Sequence, residues 1–170
     1  MIIRLEQEKD FPVIYDFTKE AFKTAKVKDG EEQEFVKRMR KSENYLPELA
    51  FVAEENMQIV GHIMLTKTRI TNETRTMDGL ILAPLTVRLD QRGKGVGAKL
   101  MTKAEQEAEK HGYSVIILIG DPAYYNRYGF EQASHLGITT DLEIPATYIL
   151  AKRIGKNDIK DISGTVSIPV

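Results

Sequence analysis

Leu80-Ile81-Leu82-Ala83-Pro84-Leu85-Thr86-Val87 runs into Arg88-Leu89-Asp90-Gln91 and then into Arg92-Gly93-Lys94-Gly95-Val96-Gly97-Ala98. The apolar run suits a buried strand. Beyond it, Leu100, Met101, Ala104 and Ala108 share one face at helical spacing, which predicts a helix over residues 97–110. Between strand and helix, three glycines occupy every second position, flanked by Arg88, Arg92, Lys94 and Lys99. Glycine lets the main chain take positive φ and approach a ligand closely. A helix N-terminus presents unpaired N–H groups and a partial positive charge. Together these features make a cradle for an anion, most naturally a phosphate.

Upstream, residues 2–6 read as an opening strand. Asp10 is the expected cap of a helix over residues 11–23 with Phe11, Ile14, Tyr15, Phe17 and Phe22 as a broad apolar face. Residues 31–41 read as a second helix, acidic at its start and basic at its end, as the helix dipole favours. Strands over residues 49–53 and 58–69, around a turn at Glu54-Glu55-Asn56-Met57, predict a hairpin. Residues 71–78 read as a polar loop.

Downstream, His111-Gly112 closes the helix, with glycine suited to the left-handed position after it. Residues 114–119, with the apolar run Val115-Ile116-Ile117-Leu118-Ile119, read as a strand that completes a β–α–β unit with the strand at Leu80, which implies parallel strands and a right-handed crossover. Gly120-Asp121-Pro122 stops that strand. A short helix over residues 123–128 follows, ended by Gly129, and Phe130 opens a further strand. Residues 148–152 are apolar, and residues 162–170 alternate loosely as a last strand.

A chain of 170 residues with 42% hydrophobic content supports one domain with a proper core, and no internal boundary stands out. The net charge of -1 argues against bulk attraction to nucleic acid or to a membrane surface. There is no cysteine, which excludes disulfides, thiolate metal ligands and a cysteine nucleophile, and suits a reducing compartment. Acidic residues near the start stand where a signal peptide has its apolar core, and no apolar run approaches the ~20 residues of a membrane span. The expectation is a cytoplasmic protein. His, Asp and Glu show no metal-ligand spacing, so no metal is expected.

Two phosphate-binding patterns fail here. A Walker A loop needs Lys-Ser/Thr after its last glycine, whereas Val96-Gly97-Ala98 follows Lys94-Gly95. The dinucleotide fingerprint G-x-G-x-x-G fails against G-x-G-x-G, and charged residues separate it from the strand.

Arg92-Gly93-Lys94-Gly95-Val96-Gly97 resembles the Arg/Gln-x-x-Gly-x-Gly/Ala motif of the GNAT superfamily of acyl-CoA N-acyltransferases. Where that family shows Val-x-Pro ahead of it, this chain has Val87-Arg88-Leu89. Tyr125-Asn126-Arg127-Tyr128-Gly129-Phe130 is similar to the family's Y-x-x-x-G-F segment. The resemblance covers about residues 1–135. It implies a mixed, twisted α/β sheet with helices on both faces and a central β–α–β unit that binds CoA. On that basis residues 1–170 form a single domain, with 136–170 a C-terminal extension of the sheet. Amides of Arg92, Gly93, Gly95, Gly97 and Ala98 would bind the CoA pyrophosphate, with Lys94 and Val96 in the same turn. Leu85, Thr86 and Val87 would lie along the acyl-CoA arm.

The activity so implied is transfer of an acetyl group from acetyl-CoA to a primary amine in a ternary complex. An alkyl ammonium has a pKa near ~10, so a base or a water chain must first remove a proton. A phenol, also at ~10, stays protonated at neutral pH and can protonate the leaving thiolate. Tyr125 holds the family's position for that acid. The base is open: acidic residues and His62 on the hairpin are candidates. Tyr124 and Tyr128, four apart, read as packing residues, His111 as a helix end and His135 as a loop residue. A small amine or a protein amine is the acceptor class, and a homodimer is compatible with the chain. The rival reading is a non-catalytic acyl-CoA-binding or interaction module of the same fold.

Overall fold

The computed structural model describes residues 1–156 and 161–169. Its elements are β1 (Ile2–Leu5), α1 (Phe11–Phe22), α2 (Glu32–Met39), β2 (Tyr45–Glu55), β3 (Gln58–Thr71), β4 (Thr76–Val87), α3 (Val96–Lys110), β5 (Val115–Ile119), α4 (Pro122–Tyr125), β6 (Glu131–Gln132), β7 (Ile138–Thr139), β8 (Ile149–Arg153) and β9 (Gly164–Val166). Contacts divide them into two compact units. The first takes Met1–Thr66 and Ala83–Ala108, the second Lys67–Leu82 and Glu109–Val170.

In the first unit, β1 pairs antiparallel with β2, and β2 with β3, placing Phe51 opposite Ile63 and Val52 opposite His62. The β2–β3 turn is two residues long. Asn56 and Met57 both take positive φ, the backbone that a tight hairpin requires. Side chains alternate across the strands and so build two cores. On one face Val52 and Ile59 pack with Ile14 and Phe17 of α1. There too, Ala50 and Met64 pack with Val36 and Met39 of α2. On the other face α3 lies close to β3. A Cβ added at Gly61 would stand 2.8 Å from Val96 Cγ1 and 2.9 Å from Leu100 Cδ1. Glycine is required at that crossing for space, not for its φ.

In the second unit β4 and β5 are parallel, Leu80 opposite Ile116 and Ile81 opposite Ile117. β8 pairs antiparallel with β5 along the whole of Val115–Ile119, and β6 pairs with β8. β9 pairs antiparallel with β3 and parallel with β7. The fold is the expected mixed α/β sheet, with helices on both faces of its β1–β3 part.

Several local expectations change. The polar loop at residues 71–78 contracts to residues 72–75, because the Asn72 side chain accepts from the amides of Thr74 and Arg75 and closes a tight turn. β2 begins at Tyr45 rather than Leu49, with a register shift between Tyr45 and Ala50. Asp10 does not cap α1. Pro12 supplies no amide at the second helical position, and the Asp10 carboxylate instead takes the Gln7 amide and a two-pronged bond from Arg4. The last strand shrinks to Gly164–Val166, and Val170 lies outside the described residues.

Gly61→Val should overpack the α3–β3 crossing and cost about 1–3 kcal/mol. A lower urea midpoint at unchanged slope is the expected result; an unchanged midpoint would mean that α3 is not seated this closely on β3.

Candidate functional site

The glycine turn lies in the first unit. β4 ends with Arg88 donating its amide to the Val60 carbonyl at 2.9 Å. The Arg88 guanidinium grips both Asp90 oxygens, at 2.7 and 3.0 Å, and reaches Gln58 at 3.1 Å. Leu89–Gln91 forms one 3-10 turn. Gly93 and Gly95 then take φ of +75° and +79°, a region where an L side chain is strained. α3 starts at Val96, one residue earlier than expected, and its first bond is Lys99 N–H to Gly95 O at 3.1 Å. Among the described residues, no protein acceptor takes the amides of Arg92 through Ala98. Residues 92–95 are exposed, while Val96 and Gly97 are buried. These amides therefore face outward at a helix N-terminus, the arrangement that binds an anion.

The side chains divide differently. Arg92 donates to Thr24 Oγ1 at 2.8 Å and to the Ala21 carbonyl at 3.0 Å. Its guanidinium thus caps the C-terminal end of α1. Lys94 bonds Gln91 at 3.3 Å, and Lys94 and Lys99 are both exposed. Thr86, on the strand leading to the turn, is 2% exposed, and Leu85 and Val87 on either side are half-buried.

Tyr125 belongs to the second unit. Asp121 caps α4 by accepting the Ala123 amide at 3.0 Å, and the Tyr125 amide donates to Asp121 O at 3.1 Å. The Tyr125 ring lies edge-on to Tyr124 and Phe130, centroids 4.9 and 5.7 Å away. Gly120 does more than stop a strand, since a Cβ there would stand 2.6 Å from the Tyr125 ring. The Tyr125 hydroxyl makes no hydrogen bond to the described residues. Burial, and then the neighbouring phenols of Tyr124 and Tyr128, push its pKa above the ordinary value, so it keeps its proton at neutral pH. Tyr124 and Tyr128 touch, with centroids 5.3 Å apart, as a half-buried pair with Arg127 over the Tyr124 ring. His135 sits in a 3-10 turn, Ala133–Leu136, rather than in an irregular loop.

Residues 2–133 match the family model described as an acetyltransferase (GNAT) domain. The chain belongs to the GNAT acetyltransferase family. It is 27% identical over 135 residues to the uncharacterized N-acetyltransferase YhbS of Escherichia coli strain K12, covering 79% of this chain and 76% of that one. The crystal structure of E. coli YhbS in complex with CoA superposes with a TM-score of 0.84 at 23% identity, over 97% of this chain and 87% of that chain. That of a GNAT family acetyltransferase from Brucella melitensis in complex with acetyl-CoA gives 0.77 at 25% identity, over 99% and 96%. Among the described residues no group of three or more His, Cys, Asp or Glu is placed to hold a metal ion, and no helix is long and apolar enough to cross a membrane.

The first unit of this GNAT domain also holds a buried ionic cluster that sequence reading missed. The Glu6 carboxylate, 1% exposed, accepts from His62 Nε2 at 2.8 Å, from Arg40 at 2.8 and 3.1 Å, and from the Tyr45 hydroxyl at 2.6 Å. Arg40 in turn stacks 3.8 Å above the Phe11 ring. Glu6 lies 34 to 56 residues from these partners, and no short motif links positions so far apart. The hairpin acids that the sequence offered as bases are engaged elsewhere: Glu54 with Arg4 at 2.7 Å, and Glu55 with the N-terminal ammonium at 2.6 Å.

Burial alone raises the Glu6 carboxyl, but hydrogen bonds from His62, Arg40 and Tyr45 override it and hold the group at about 2, against 4.5 ordinarily. On acidification the unfolded chain takes up this proton first. The stabilisation is therefore complete above the ordinary value and disappears as pH falls toward the folded one. Glu6 should contribute roughly 3 kcal/mol at neutral pH. Urea midpoints measured at about pH 6 and about pH 3 should fall with acid in the parent protein and fall less in Glu6→Gln.

Proposed function

We propose that this chain is an acetyl-CoA-dependent N-acetyltransferase that moves the acetyl group to a primary amine by direct attack in a ternary complex. The observation that carries the reading is the row of outward-facing amides from Arg92 to Ala98 at the start of α3. In this reading the amides of Arg92, Gly93, Gly95, Gly97 and Ala98 bind the pyrophosphate of CoA, and Lys94 and Val96 flank it. Leu85, Thr86 and Val87 run beside the acyl arm, and Tyr125 protonates the departing thiolate. Support comes from the family match, from the CoA and acetyl-CoA held by the two related proteins, and from a Tyr125 phenol that is protonated and has no bond to the described residues.

The reading also takes the chain as one catalytic domain whose residues after 135 extend the sheet, supported by the pairing of β8 with β5 and of β9 with β3. The cysteine-free composition suits action in the reducing cytoplasm.

Calorimetry with acetyl-CoA, followed by free-thiol release over a panel of amines, tests the reading. Gly95→Val puts a β-branched side chain at positive φ. It should cost about 1–2 kcal/mol of stability and weaken acetyl-CoA binding by about tenfold or more. Tyr125→Phe should leave acetyl-CoA affinity within about twofold and lower turnover by about 10²-fold. Unaltered affinity in Gly95→Val contradicts the cradle, and unaltered turnover in Tyr125→Phe removes the phenol from the chemistry. Tight binding without thiol release from any amine supports the non-catalytic acyl-CoA-binding module instead.

A further inference from the structure

The glycine turn is held firmly at its two ends and loosely between them. At the upstream end the Arg88 amide bonds Val60 O at 2.9 Å and the Arg88 guanidinium reaches Gln58, both on β3. At the downstream end Val96 is buried, and its Cγ1 stands 2.8 Å from the Cβ position of Gly61, also on β3. Gly93 and Gly95 lie between. Both take positive φ, and a Cβ built at either would meet nothing within 4 Å. No packing restrains them, and glycine is the residue that loses most freedom on being ordered. Among the described residues, Lys94 bonds Gln91, three residues back, which adds no tie to the rest of the fold.

Arg92 ties the middle of the turn to another element. Its Nη1 donates to Thr24 Oγ1 at 2.8 Å and its Nη2 to Ala21 O at 3.0 Å, across 68 and 71 residues of chain. Thr24 Oγ1 in turn donates to Ala21 O at 3.0 Å, so the three groups close a ring of hydrogen bonds at the end of α1. That helix is itself seated. Ala21 is buried, and Ile14 and Phe17 pack on Val52 and Ile59 of the hairpin. The Arg92 main chain is extended, with φ of -66° and ψ of 153°, and Gly93 follows it. The ψ of Arg92 and the φ of Gly93 orient the peptide plane between them, and hence the Gly93 N–H. Gripping the Arg92 side chain therefore narrows the directions that this amide can take.

We infer that Arg92 is a positioning residue: its guanidinium keeps the amide row in shape by gripping the end of α1, rather than by pairing with a phosphate. The inference rests on the acyl-CoA reading, in which that row binds the pyrophosphate. The alternative role for an arginine in such a turn is an ionic ligand, since its planar fork suits a phosphate. Here two prongs of the fork are engaged by a hydroxyl and a carbonyl. A row of amides binds well only if it is aligned before the ligand arrives, because the cost of ordering it is subtracted from affinity. The link also runs backward. A ligand that fixes the amides holds Arg92 in place and steadies the last turn of α1 by an equal coupling.

Calorimetry with CoA tests this and needs no acceptor. Changing the Arg92 side chain leaves its amide in the row. Arg92→Met should weaken CoA binding by about tenfold. Arg92→Lys keeps the charge but offers one nitrogen in place of a fork, and should bind within about twofold of Arg92→Met. Thr24→Val removes one acceptor of the clamp from the α1 side. It should weaken binding by about threefold in the parent protein and by less than about 1.5-fold in the Arg92→Met background. Parent affinity in Arg92→Lys overturns the proposal, because charge alone would then suffice. So do losses that simply multiply in the Thr24→Val, Arg92→Met double variant.

A second readout separates positioning from a general loss of stability. The amides of Lys23, Thr24 and Ala25 bond the carbonyls of Glu20, Ala21 and Phe22 at the end of α1. Their hydrogen exchange should slow when CoA saturates the parent protein and should not respond to saturating CoA in Arg92→Met. No response in the parent, or an equal response in both proteins, overturns the coupling whatever the stability of the variant. A parent protein that does not bind CoA defeats the acyl-CoA reading and this inference with it. A parent that binds CoA, beside an Arg92→Met variant that binds it as tightly, defeats this inference alone.

Discussion

Helix α3 begins with amides that face away from the protein, and much of the first unit holds them there. A buried N–H without a partner is costly, so such a row persists only where water or a ligand can pair with it. Exposure of residues 92–95 meets that condition, and burial of Val96 and Gly97 directly behind them fixes the direction. The helix is anchored by Val96 and Leu100 against the bare backbone of Gly61, and by Met101, Ala104 and Ala108 in the core. Both arginines of the turn are committed to protein: Arg88 to Asp90 and Gln58, Arg92 to the end of α1. In the proposed acyl-CoA reading, recognition of an anion is thereby left to main-chain dipoles, which need little reorganisation, and to the exposed charges of Lys94 and Lys99.

The Glu6 cluster is the second organising feature of that unit. Burying a carboxylate costs several kcal/mol unless its lone pairs are met. Here a guanidinium, an imidazole and a phenol meet them. The donors come from the end of α2, from β3 and from the start of β2, while Glu6 follows β1. The cluster ties four chain segments at one point, where an apolar contact would tolerate sliding. It also fixes the orientation of the His62 ring, whose Nε2 lies 2.8 Å from the Glu6 carboxylate. In the second unit a smaller device does comparable work. Gly120 has no side chain, so the Tyr125 ring lies against the strand end with its hydroxyl unbonded among the described residues.

Much of this was legible in residue order. The strand expected over residues 114–119 forms over Val115–Ile119, because an apolar segment rich in β-branched residues and bounded by His111-Gly112 and Gly120 has one reading. The glycine turn was legible because positive φ at Gly93 and Gly95 is a local requirement that only a local residue can meet. The ends of β2 and β4 were not. Tyr45, Pro47, Thr76 and Asp78 are polar, exposed or helix-neutral, and only pairing with a distant strand makes them extended. Asp10 looked like a cap for the same reason that it failed as one. A short acid before a helix suits that role, but Pro12 removed the amide and Arg4 offered a stronger partner.

Residue order alone determined the β–α–β unit, the glycine turn, the tyrosine segment and the family, since each is written in neighbouring positions whose backbone preferences or spacing act over a few residues. Tertiary structure alone decided which charges are free. It turned Arg92 onto α1 and drew Glu6, Arg40, Tyr45 and His62 together. The reason is physical: a side chain's electrostatic role depends on what lies within a few ångströms, and those neighbours come from segments tens of residues apart that meet only when the sheet and its helices have packed.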